Sequence, residues 1–168
     1  MGWSFDIQDV GRKAFIERIT SQAHFSAAYK LLESRVVGNH IWHLLEHEGR
    51  KFIALDLIAK QRGGGWGEKG VDETWGPYYY DCPLSLLDKA DPPANDSAAE
   101  WRQRVRDYHE AKRNRPKPVA GLVVELRQHQ YRLLEPHWKR GNWVAERVSD
   151  GERFRLSPRY LNQSKAIA

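Results

Sequence analysis

The chain has 168 residues, with 27 Lys or Arg against 22 Asp or Glu and a formal net charge of +5. This length allows one domain or two small ones with a buried core. Cys82 is the only cysteine, which excludes an intramolecular disulfide and zinc sites built from several cysteines. The sequence has no run of roughly 20 apolar residues and no secretory leader pattern. We therefore expect a cytoplasmic protein.

Charge is distributed unevenly along the chain. Residues 1–111 hold 14 Lys or Arg against 17 Asp or Glu, whereas residues 112–168 hold 13 against 5, a net charge of +8. A basic segment of this kind favours a polyanionic partner.

The residue patterns predict an α+β protein that begins with a helix over residues 9–22, with Asp9 as its N-cap. An antiparallel meander should follow, with strands at 29–39, 39–46 and 51–59. Residues 52–58 are nearly continuous in apolar side chains, which is typical of a central strand covered on both faces.

Residues 62–83 are dense in glycine, aromatic and charged side chains, and this composition predicts a long functional loop. A short helical run at 84–88 comes next. The capping box from Ser97 to Glu100 predicts a second flanking helix that ends near Lys112. Its buried face is expected to comprise Trp101, Val105 and Tyr108.

The basic, proline-containing segment 113–118 is the predicted linker between a domain at 1–112 and a domain at 119–168. Short strands are expected in the second domain at 121–126, 130–134, 143–148 and 153–156. A hairpin turn at 149–152 and a helical turn at 157–161 complete the pattern. This arrangement resembles small barrels of the Src-homology-3, Tudor and KOW type, and predicts a small basic β-barrel-like domain.

Three histidines, His40, His43 and His47, have a spacing that could hold a metal if the segment were a helix. The neighbouring residues favour a strand, on which the three imidazoles would not converge. We therefore expect no metal site, no cofactor and ordinary surface histidines.

The glycine-rich stretch 63–70 contains Lys69 but matches neither the P-loop nor the dinucleotide-binding spacing. A mobile loop is the simpler interpretation. Trp66, Trp75, Tyr78, Tyr79 and Tyr80 could form a stacking platform for bases, or could pin the loop by packing inward.

Three residues in the loop are candidates for catalysis: Asp72 and Glu73 as an acid–base or Mg²⁺-binding pair, and Cys82 as a nucleophile. Asp56 and Asp81 are further candidate ligands. Solvent-facing carboxylates and a buried cysteine are the alternative interpretation.

The basic side chains of the C-terminal third are the candidate nucleic-acid contacts. They are Arg127, Arg132, Lys139, Arg140, Arg147, Arg153, Arg155 and Arg159. Arg153 and Arg155 alternate with Phe154 and so share a strand face, and Arg147 lies just across the hairpin. A solvated basic surface is the alternative.

Residues 1–110 resemble an uncharacterised family of small proteins from phages, plasmids and integrative elements. The matching features are Met1-Gly2-Trp3, Gly38-Asn39-x-Ile41-Trp42, Phe52-Ile53-x-x-Asp56-Leu57, Gly65-Trp66-Gly67-x-Lys69-x-x-Asp72-Glu73-x-x-Gly76-Pro77-Tyr78-Tyr79-Tyr80-x-Cys82-Pro83 and Trp101-Arg102-x-x-Val105-Arg106-x-Tyr108-His109. The resemblance implies an accessory gene of a mobile element, of the kind that manages host defence or DNA transfer.

Together these features predict a non-enzymatic accessory protein that binds nucleic acid or a host nucleoprotein complex, with counter-defence by occupancy as its expected role. A DNA mimic is disfavoured because a mimic must be acidic. Two alternatives stay open: a small enzyme acting on nucleotides or nucleic acid through residues 65–83, and a protein-interaction module anchored by the aromatic loop.

Overall fold

The computed structural model describes residues 3–5, 10–114 and 117–167. The chain divides into two compact units, Met1–Arg113 and Asn114–Ala168, here called the N-terminal and C-terminal units. Each unit contains one antiparallel sheet and at least one helix, which confirms the α+β class. Among the described residues, no helix is both long enough and apolar enough to cross a membrane.

The N-terminal unit is built on a five-stranded sheet. Its strands are β1 (Ser4–Phe5), β2 (Lys30–Val37), β3 (His40–His47), β4 (Arg50–Lys60) and β5 (Trp66–Asp72). They lie in the order β1-β5-β4-β3-β2, with every neighbouring pair antiparallel. Leu55 and Asp56 of the central β4 point to opposite faces and are both buried. The prediction of a central strand covered on both faces is therefore confirmed.

Helices cover both faces of this sheet. They are α1 (Arg12–Ile19), α2 (Leu84–Leu87) and α3 (Asp96–Arg113). On one face, Phe15 and Ile19 of α1 pack against Ile41 and Ile58. On the other, apolar residues of α2 and α3 pack against the sheet, and each fully buried large side chain contributes about 1.5–3 kcal/mol. Asp9, the predicted N-cap of α1, lies outside the described residues.

The predicted long loop at 62–83 is wrong over part of its length, because residues 66–72 form β5 between β4 and β1. The glycines of this segment made its sequence look like a loop, and the structure explains why two of these positions are glycine. A Cβ on Gly67 would lie 2.3 Å from the Phe5 ring, and one on Gly70 would lie 3.0 Å from Asp56 Oδ1. Both glycines therefore give neighbouring side chains room.

Helix α3 begins two residues earlier than the capping box predicts. Asn95, not Ser97, accepts a hydrogen bond from Ala98 N at 2.8 Å through its side-chain oxygen. Its amide also donates to Thr74 O at 3.2 Å, so the same residue fixes the helix start to the preceding turn. Tyr108, expected on the buried face, is 39% exposed.

The C-terminal unit contains a second antiparallel sheet and one short helix. Its elements are β6 (Val123–Leu126), β7 (His129–Pro136), β8 (Trp143–Arg147), β9 (Arg153–Leu156), α4 (Pro158–Gln163) and β10 (Lys165–Ile167). The strand order is β10-β6-β7-β8-β9, and β10 was not predicted. Val124, Leu133 and Ala145 lie in a core on one face of the sheet. No pairing between β9 and β10 closes a barrel in the described part of the chain.

Candidate functional site

A basic, aromatic groove of about 440 Å³ lies on the C-terminal unit. It is lined by Leu126, Arg127, His129, Tyr131, Phe154, Arg155, Leu156 and Tyr160. This lining contains two arginines, two tyrosines and a phenylalanine but no Asp or Glu. The groove therefore offers positive charge beside ring faces, which is the combination that binds phosphate and base together.

The turn between β6 and β7 positions Arg127 in this groove. Arg127 and Gln128 both have positive φ, at 52° and 68°, as a two-residue hairpin turn requires. The Arg127 guanidinium carbon lies 5.7 Å from the centroid of the Tyr160 ring on α4. A cation and an exposed ring are thus held next to each other.

The other predicted basic contacts fall into two groups. Six are exposed and form no ion pair with any described residue: Arg132, Lys139, Arg140, Arg153, Arg155 and Arg159. Arg147 differs, because its guanidinium contacts Asp150 at 2.6 Å and Glu152 at 2.5 Å. It also stacks on Phe154 and so lies on the opposite sheet face from Arg153 and Arg155.

Two of the three catalytic candidates in the predicted loop are occupied by structural contacts. Asp72 Oδ1 accepts a hydrogen bond from Thr74 N at 2.8 Å and caps the 3₁₀ turn Glu73–Trp75. Glu73 is 2% exposed and forms an ion pair with Arg102. Burial and the ion pair therefore occupy the Glu73 carboxylate, whereas the hydrogen bonds of Asp72 occupy only Oδ1.

Cys82, the third candidate, is fully buried in the N-terminal core. Burial raises the pKa of its thiol, and the nearby carboxylates of Glu73 and Asp81 raise it further. Because the thiolate is the nucleophile, this environment suppresses cysteine chemistry. The alternative interpretation of Cys82 as a small buried apolar residue fits its surroundings.

The predicted aromatic platform is divided between solvent and interior. Trp75 and Tyr78 are 71% and 87% exposed, and both line a shallow pocket of about 220 Å³. Trp66 packs against Phe15, with ring centroids 6.1 Å apart, and the Tyr80 hydroxyl accepts a hydrogen bond from Arg104 at 3.1 Å. Tyr79 is 38% exposed, and Lys69 is half-buried on β5.

The three predicted histidines lie on β3, and each has a different partner. His40 Nδ1 is 2.8 Å from Asp81 Oδ1, and His47 Nδ1 is 2.8 Å from Ala28 O. His43 is fully buried, so the expectation of a surface histidine is wrong there. In the described ranges, no group of three or more His, Cys, Asp or Glu side chains is arranged to hold a metal ion.

A polar cluster centres on Asp56. The sequence patterns did not identify His24 as a partner of Asp56. Asp56 Oδ2 lies 3.2 Å from His24 Nε2 and also 3.2 Å from His43 Nε2. The Nδ1 atom of His43 is 2.8 Å from Ser34 Oγ. One carboxylate oxygen therefore accepts from two imidazoles.

Hydrogen bonding controls the ionisation of this cluster. Burial acts to raise the pKa of Asp56, but the hydrogen bonds from His24 and His43 outweigh it and lower the pKa to about 2. The bond to Asp56 raises the pKa of His24 against the opposing effect of burial. A charged residue inside a predicted apolar strand was the signal that a buried partner must exist.

The cluster borders an open cleft of about 450 Å³ on the N-terminal unit. Its apolar wall includes Phe25, Tyr29, Leu45, Phe52 and Val71. His24, Asp56 and Gly70 also line it, whereas His43 and Ser34 do not.

No family model matches this chain, and neither the curated proteins nor the solved structures include a significant match to it. The resemblance to proteins of mobile elements stays a prediction.

Proposed function

We propose that this protein binds nucleic acid through its C-terminal unit. The observation that carries the proposal is the groove lined by Arg127 and Arg155, in which Arg127 lies beside the Tyr160 ring and the lining contains no carboxylate. Cations in such a groove contact phosphates, and an exposed ring stacks on a base of any identity.

The surrounding charge supports the same partner. The exposed arginines of β7 and β9 and the basic turn at Lys139 and Arg140 extend the positive surface beyond the groove. Phosphate contacts of this kind position the nucleic acid without reading its sequence. Single-stranded nucleic acid is the preferred ligand, because stacking on Tyr160 needs an unpaired base.

The action that follows is occupancy of the bound strand, without chemistry on it. Two of the candidate catalytic residues support this view, because an ion pair holds Glu73 and burial encloses Cys82. The third, Asp72, caps a turn through Oδ1. A counter-defence role for a mobile element is the biological setting that we propose for such binding.

Fluorescence anisotropy with labelled single-stranded DNA, single-stranded RNA and duplex DNA tests the proposal at about 50 mM and about 200 mM salt. We expect tighter binding to single strands and a steep loss of affinity at the higher salt. Arg155→Glu should weaken binding about tenfold, and Tyr160→Ala should cost about 1–3 kcal/mol.

Arg62→Glu is the matched control, because Arg62 is an exposed arginine of the N-terminal unit. It makes the same charge change outside the groove and should leave affinity nearly unchanged. The proposal fails if no nucleic acid binds at the lower salt, or if Arg62→Glu weakens binding as much as Arg155→Glu.

A further inference from the structure

The cleft on the N-terminal unit contains two hydrogen-bond acceptors that no described residue uses. Asp56 Oδ2 accepts from both imidazoles, but no described residue donates to Oδ1. His24 Nε2 faces Asp56, and its Nδ1 has no hydrogen-bond partner among the described residues. Both residues line the same cleft.

The tautomer of His24 follows from its partner. The ionised carboxylate of Asp56 can only accept, so Nε2 of a neutral His24 carries the proton and donates it. Nδ1 then has a lone pair available for a ligand. The side chain of His24 is 18% exposed and lines the cleft.

Gly70 keeps Asp56 Oδ1, the other acceptor, accessible. It pairs with Asp56 in the register of β4 and β5, and a Cβ there would lie 3.0 Å from Oδ1. Since Gly70 has no positive φ, the backbone does not demand glycine at this position. The missing side chain leaves space directly in front of the carboxylate oxygen.

Most of the remaining cleft wall is aromatic or aliphatic, and its other polar lining residues are His47, Arg50, Asp72 and Thr74. Phe25, Tyr29 and Phe52 contribute rings to the wall, and the volume of about 450 Å³ falls within the range of small-molecule pockets. A planar ring suits these walls, and two acceptors at the polar end require a ligand that donates.

We propose that this cleft binds a planar aromatic molecule that carries an N–H donor, with Asp56 Oδ1 and His24 Nδ1 as the acceptors. Nucleobases and indoles share this chemistry. This site lies in the N-terminal unit and does not depend on nucleic-acid binding by the C-terminal unit.

The binding test uses four probes on the whole chain: indole, 1-methylindole, guanosine and guanosine monophosphate. We expect indole to bind at least about tenfold more tightly than 1-methylindole, which has the same rings but no N–H donor. Tighter binding of the guanine probes than of indole identifies a nucleobase as the ligand class, and the reverse identifies an indole. Equal affinity for indole and 1-methylindole, or no binding of any probe, overturns the proposal.

Gly70→Ala tests the carboxylate acceptor without changing charge. The added methyl group should shield Asp56 Oδ1 and weaken binding of the preferred probe about tenfold. Gly63→Ala is the matched control, because nothing lies within 4 Å of a Cβ at Gly63. Thermal midpoints of both variants show whether they are folded. A folded Gly70→Ala variant with unchanged affinity contradicts the role of Oδ1.

A pH series tests the imidazole acceptor. The charged groups that act on His24 are Asp56 from β4, Glu68 from β5 and Arg18 from α1, and His43 of β3 shares Asp56. Protonation of Nδ1 turns the acceptor into a donor, so affinity should be high above the raised pKa of His24 and fall below it.

His24→Gln should retain affinity at high pH and lose this pH dependence, because glutamine offers a donor and an acceptor but does not titrate. His137→Gln is the control, because His137 lines neither the cleft nor the groove of the C-terminal unit, and it should keep the wild-type profile. A pH dependence that persists in His24→Gln overturns the assignment of His24 as an acceptor.

Discussion

Arg102 and Glu73 form a two-point ion pair inside the N-terminal unit. Arg102 Nε lies 2.6 Å from Oε2, and Nη2 lies 2.7 Å from Oε1. The Glu73 carboxylate also accepts from Ile53 N at 3.2 Å, and Arg102 Nη1 donates to Asp91 O at 2.6 Å. This pair joins α3 to the central strand β4, which explains why an acidic residue of the predicted loop is buried.

Glu73→Gln should lower the free energy of unfolding by about 3–5 kcal/mol, because it leaves the guanidinium of Arg102 without its charged partner. Urea denaturation measures this loss. Glu100→Gln is the control, since Glu100 pairs with Arg104 on the exposed surface of α3 and should change little. Equal stability of Glu73→Gln and wild type would contradict a structural role for Glu73.

Cys82 should be inert in the folded protein. Its thiol is buried and its pKa is raised, so the reactive thiolate is scarce even in mildly alkaline solution. An aromatic disulfide reagent should label it only after urea unfolds the chain, and absorbance of the released thiol follows the reaction. Labelling of the native protein at the rate of free cysteine would restore the interpretation of Cys82 as a nucleophile.

The meander of the N-terminal unit was predictable because alternation and turn residues act over short distances. The turn at Glu48 and Gly49 has positive φ at both residues and joins β3 to β4 as expected. Strand β5 was not predictable, because a Cβ at Gly67 or Gly70 would crowd Phe5 or Asp56, and these two residues are distant in sequence. Glycine composition alone suggested a loop.

The candidate sites also combine features that the local sequence shows with features that only folding creates. The basic set of the C-terminal unit was visible in composition, but the ion pairs of Arg147 and the proximity of Arg127 to Tyr160 depend on folding. His24 lies 32 residues from Asp56 in the sequence and joins it only through the packing of the 3₁₀ turn Gln22–His24 on the sheet. No local spacing rule connects such a pair.

Arg127→Gly should preserve or raise stability while removing a groove cation. Arg127 has a φ of 52°, a conformation that costs a non-glycine residue about 1 kcal/mol. We expect a gain in the free energy of unfolding of up to about 1 kcal/mol together with weaker nucleic-acid binding. Urea denaturation and anisotropy measure the two effects separately.

Arg132→Gly is the comparison for this variant. Arg132 is an exposed residue in the extended strand β7, where glycine should destabilise by about 0.5–1 kcal/mol. If both variants lose stability equally, the turn conformation of Arg127 carries no strain.

The pair of His24 and Asp56 should stabilise the fold most strongly at mildly acidic pH. The folded pKa of Asp56 is lowered to about 2, so its contribution is present above its ordinary value and is lost as the pH falls from about 4 toward 2. The pKa of His24 is raised, so its contribution is complete below about 6.5 and is lost as the pH rises through the folded value. The difference in unfolding free energy between wild type and His24→Gln should therefore be greatest between about pH 4 and pH 6.5. Urea denaturation across this range measures it, and a difference that is constant from pH 3 to pH 9 would show that the two side chains are not electrostatically coupled.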